Sequence, residues 1–69
     1  MSMIKNDTEL KVTQDRISRF HEQVTYLRQV EADPQSYHAQ ASGFLTEIDR
    51  MQLEVRAYLM LHPLEMGSK

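Results

Sequence analysis

Ala32-Asp33-Pro34-Gln35-Ser36 is the one strong break in the middle of this chain. Proline disfavours helical backbone at the residue before it, while its fixed φ suits the first turn of a new helix. Asp33 is a good cap for that turn. The break is short, as expected where two helices fold back on each other. It divides the chain into two stretches, and each carries a helical pattern.

Upstream, Ile17, Phe20, Val24 and Leu27 recur at intervals of three and four, the helical period. Asp15, Arg16, Arg19, Glu22, Gln23 and Arg28 lie between them. Asp15 precedes Arg19 by one turn, the favourable acid-first order for an ion pair. The spacing predicts a first helix over residues 13–32, about 30 Å long. Residues 1–12 admit two readings. Leu10-Lys11-Val12-Thr13 alternates like a short strand, which suggests an extended arm before a helix capped at Thr13. Alternatively the helix begins at Asn6, with Glu9 completing a capping box. The arm is the reading adopted for residues 1–12.

Downstream, Ala41, Phe44, Ile48, Met51, Val55 and Tyr58 form a second stripe. Leu45, Leu53, Leu59 and Met60 lie beside or beyond it, so the apolar surface is broader than a two-stranded seam needs. The second helix is predicted over residues 38–61, with a loose first turn around Tyr37 and His38. Pro63 ends it, and residues 63–69 read as a tail. Gly43 is a tolerated weak spot inside this helix, or marks a start of the regular helix near Ser42, or lets another backbone come close beside Ala39 and Ser42.

The chain has 69 residues, enough for one small domain. Chains this short bury a small share of their surface and need disulfides, a metal or association. With no cysteine present, disulfides and thiolate metal sites are excluded. The absence fits a reducing cytoplasm. Ten acidic residues against eight basic ones give a net charge of −2, which is not the footprint of a nucleic-acid binder. No apolar run approaches the length of a membrane span. The opening residues lack the apolar core of a secretory signal, so Asn6-Asp7-Thr8 matches the glycosylation sequon by coincidence.

Candidate sites are few. Among the three histidines, His21 stands beside Glu22 without the spacing of a zinc helix, and His38 and His62 stand apart. Glu47 and Asp49 lie on different helix faces, while Glu47 and Arg50 are within pairing distance on one face. Catalytic acids need a desolvating pocket, which a two-helix chain does not offer by itself. With glycines only at Gly43 and Gly67, there is no glycine-rich phosphate loop, and no serine nucleophile motif is present. Arg16, Arg19 and Arg28 form a weak basic strip, interrupted by Asp15 and Glu22. Met51 and Met60 suit core or dimer packing. Tyr26, off the main stripe of the first helix, is the best single candidate for a contact between chains.

Two stretches carry a resemblance. Ile4-Lys5-Asn6-Asp7-Thr8-Glu9-Leu10-Lys11-Val12-Thr13, followed by Ile17 and Phe20, resembles the N-terminal segment of bacterial helix-turn-helix regulators of the antitoxin type. Gly43-Phe44-Leu45-Thr46-Glu47-Ile48-Asp49-Arg50-Met51, running on to Val55 and Tyr58, is similar to the second helix of that segment. The resemblance spans roughly residues 3–60. In those regulators the segment precedes a DNA-binding domain. None follows within this sequence, so no DNA-reading residue carries over. The resemblance implies a helical accessory or oligomerisation module of a regulatory or toxin–antitoxin system.

The sequence therefore predicts an all-α, single-domain chain: a two-helix antiparallel hairpin that dimerises into a four-helix bundle. A non-enzymatic interaction module is expected. The expected interface comprises Ile17, Phe20, Val24 and Leu27 on the first helix. On the second it comprises Phe44, Leu45, Ile48, Met51, Val55, Tyr58 and Leu59. The expected partner is a second copy, with an unidentified protein as the alternative. A small regulator touching nucleic acid as a dimer is the competing reading. No catalytic residue, metal, cofactor or membrane contact is expected, and the expected location is cytoplasmic.

Overall fold

The computed structural model describes residues 4–65. They form two helices, α1 at Asp7–Val30 and α2 at Pro34–Leu59, joined by three residues. No strand occurs among the described residues. The helices fold back on each other as a hairpin.

α1 starts at Asp7, so residues 7–12 are helical and not an extended arm. The reason is local. The Asn6 side chain accepts a hydrogen bond from the Glu9 N–H at 2.9 Å, and Glu9 Oε1 accepts one from the Lys5 N–H at 2.8 Å. These two bonds satisfy donors that a helix start leaves open, in a one-residue variant of the capping box. Asp7 and Glu9 also place negative charge at the positive end of the helix dipole. Ile4, just before the cap, is buried at 6% exposure.

At the break, Asp33 is extended and its carboxylate accepts from the Ser36 N–H at 3.2 Å. Pro34 opens α2, where a missing N–H costs nothing. The Tyr37 N–H already donates to the Asp33 carbonyl at 2.9 Å. A capped proline turn is thus sufficient to start regular helix at Pro34, and the loose turn expected before residue 38 is helical. Glu31 ties the turn together by accepting from the Asp33 N–H and from Gln40 Nε2 at 3.0 Å.

The far end of α2 stops at Leu59, two residues before the expected end, within the usual fraying of a last turn. Beyond it, the His62 carbonyl accepts from the Glu65 N–H at 2.8 Å. The Glu65 carboxylate accepts in return from the His62 N–H at 2.8 Å. Residues 63–65 therefore make a turn. The rest of the expected tail, 66–69, lies outside the described residues, as do Met1 and Met3 of the arm.

Candidate interaction surface

The seam between the helices takes up most of the expected interface. Ile17, Ile48, Met51, Val55 and Tyr58 are buried in one cluster with Ile4, and Leu10 and Phe20 pack against it. Val24 and Ala41 are also buried. Phe20 and Phe44 meet edge to face, with ring centres 5.5 Å apart. Leu27 is half-buried. Within the hairpin the clustered residues and the Phe20–Phe44 pair lie in the seam between the chain's own two helices. Leu45 and Leu59, the other two expected interface residues, are exposed.

A polar clasp closes the open end. The Tyr58 hydroxyl donates to Asp7 Oδ1 at 2.7 Å, joining the last turns of α2 to the first turn of α1. The bond to the Asp7 carboxylate, helped by burial and the charges of Asp7 and Glu9, raises the Tyr58 pKa above the ordinary tyrosine value. Sequence pattern identified Tyr58 as a stripe position and an amphipathic residue suited to an interface rim, without the bond to Asp7. The clasp and the burial of Ile4 were missed because both depend on α1 starting at Asp7.

On the outer face of α2, Arg50 bridges Glu47 and Glu54, with Nη1 donating to Glu54 Oε2 at 3.1 Å. Its pKa is raised, first by the hydrogen bond to Glu47, so it holds its charge. On α1, Asp15 pairs with Lys11 at 3.6 Å, one turn before it, and not with Arg19. Arg16, Arg19 and Arg28 are exposed, as is Tyr26. Tyr26 borders a shallow depression with His21, Glu22, Thr25 and Gln29.

The remaining feature is an apolar strip on α2 that the seam does not cover. Leu53 and Met60 are 68% and 72% exposed, and Leu45 and Leu59 flank them. Leu53, Leu59 and Met60 share an open groove with Asp49, Gln52 and Arg56. Asp49 and Arg56 are exposed, and neither takes part in an ion pair among the described residues. The excess width of α2 was legible in the sequence. That Asp49 and Arg56 line the groove beside this strip was not, because the strip is distinguished only once it is separated from the seam.

No group of three metal-ligating side chains comes together among the described residues, and no helix is long and apolar enough to cross a membrane. No family model, curated protein or solved structure matches this chain.

Proposed function

We propose that this chain is a non-enzymatic protein-interaction module whose first partner is a second copy of itself, two hairpins assembling into a four-helix bundle. The observation that carries the proposal is the uncovered strip of Leu45, Leu53, Leu59 and Met60 along α2. Exposed apolar side chains gathered along one helix face in this way mark interaction sites in soluble proteins. The strip's midline lies roughly a third of a turn round the helix from that of the seam, counting about 3.6 residues per turn. A helix in a bundle contacts neighbours on two such faces. The seam residues hold each hairpin together, and the strip holds the pair. The expected interface is thereby divided into two parts.

The setting belongs to the same proposal: a cytoplasmic accessory to a regulatory or toxin–antitoxin system. Its support is the lack of cysteine and the likeness of the two quoted stretches to antitoxin-type regulators. Sedimentation equilibrium on the purified chain tests the self-association. A dimer at micromolar concentration is expected, and a cooperatively folded monomer overturns the proposal. A salt-dependent mobility shift with random duplex DNA would instead favour a regulator acting through Arg16, Arg19 and Arg28.

A further inference from the structure

The uncovered strip has a symmetry in its charges. Asp49 and Arg56 stand at equal distances on either side of the midpoint between Gln52 and Leu53, and so do Leu45 and Met60. A twofold interface brings the same patch together on both subunits, so that residue i meets j wherever j meets i. In an antiparallel pair of α2 helices with the axis at that midpoint, Asp49 faces Arg56 of the partner subunit twice over. Leu45 faces Met60 of the partner subunit, and Leu53 lies beside the axis. A parallel pair would set Asp49 against Asp49 and Arg56 against Arg56, like charge on like charge.

Resting on the self-association proposed above, we infer that the second copy docks on α2 antiparallel, about an axis between Gln52 and Leu53, held by reciprocal Asp49–Arg56 ion pairs. The occupant is a second copy because the strip is complementary to itself: Asp49 matches Arg56 and Leu45 matches Met60, while Leu53 meets Gln52 of the partner subunit and Leu59 meets Thr46 of the partner subunit. Both charges are exposed and without an ion-pair partner among the described residues. α1 offers no equivalent. Its exposed apolar residues Val12, Tyr26 and Val30 are more widely spaced than those of α2, and Asp15 on the same helix already pairs with Lys11. The paired strip from Leu45 to Met60 runs about 22 Å along the helix axis. Gly43 lies on another face and stays outside the contact.

Charge swaps test this register. Asp49→Arg sets Arg against Arg at both symmetric contacts, and Arg56→Asp sets Asp against Asp. Each should raise the dimer dissociation constant on the order of tenfold in sedimentation equilibrium at low salt. The double swap Asp49→Arg with Arg56→Asp should restore it. An equimolar mixture of the two single variants should form heterodimers more tightly than either forms homodimers. Circular dichroism checks that each variant keeps its helix content.

A second measurement does not depend on those variants. The chain has no native cysteine, so Leu45→Cys combined with Met60→Cys should give a disulfide-linked dimer on mild oxidation. Within one chain these positions are about 22 Å apart, too far to bridge. Either single cysteine should not cross-link. Dimerisation unaffected by the single swaps, together with no cross-link, overturns this register and leaves self-association standing. A monomeric wild type removes both.

Discussion

Tyr58 is the residue on which the two ends of the chain meet. Its hydroxyl bonds Asp7, and its side chain is buried in one cluster with Ile4, Ile17, Ile48, Met51 and Val55. Because folding raises the Tyr58 pKa, the folded state holds that proton more tightly than the unfolded chain. The resulting stabilisation is fully present below the unfolded tyrosine pKa of about 10. It is lost as pH rises through the higher folded value. Tyr58→Phe should therefore lower the melting temperature by a few degrees at neutral pH and flatten the alkaline fall in stability. Melting curves across neutral and alkaline pH check this; identical alkaline slopes would contradict it. Gly43 behaves differently. A Cβ built there meets nothing within 4 Å, and the position is mid-helix. Gly43→Ala should raise stability by about 0.5–1 kcal/mol through the entropy of the unfolded chain. Urea unfolding measures it. A loss of stability would show that another backbone approaches this point.

At the scale of the element, the start of α1 decides more than its length. Asn6→Ala removes the cap that accepts from the Glu9 N–H and should cost about 1 kcal/mol. Backbone amide exchange should speed up first in residues 7–10, since a lost cap frays the adjacent turn. Uniform exchange along α1 would place the helix start elsewhere. The sequence made α2 and the break legible because Asp33, Pro34 and the stripe from Ala41 to Tyr58 all favour one structure. Residues 1–12 were ambiguous because Leu10-Lys11-Val12-Thr13 alternates like a short strand, while Asn6 and Glu9 suit a helix start. The choice is made by Asn6 and Glu9 acting together, and by Ile4 and Asp7 finding partners on α2, far away in the sequence. Pattern alone shows the first half of that choice and not the second. The same limit applies at the candidate surface. Leu45, Leu53, Leu59 and Met60 were visible as excess apolar width. Which stripe a hairpin consumes and which it leaves uncovered depends on how α1 lies against α2.

The whole molecule is a rod. Its Cα radius of gyration is 15.4 Å, against about 11 Å for a compact domain of this length. Two helices side by side have one shared seam, so most of their surface faces water however well the seam packs. A second copy changes both shape and stability. If only paired hairpins are fully stable, the melting temperature must rise with protein concentration, because association draws on the folded state alone. Two substitutions separate the seam from the strip. Ile48→Ala opens a cavity in the seam and should cost roughly 2–4 kcal/mol at any concentration. Leu53→Asp places a charge on a residue that is 68% exposed in the single hairpin. It should barely alter the hairpin's own packing, yet remove the concentration dependence of melting. Scanning calorimetry over a wide range of concentrations distinguishes the two. Were Leu53→Asp to melt with the wild-type concentration dependence, the strip would not be the surface that joins the hairpins.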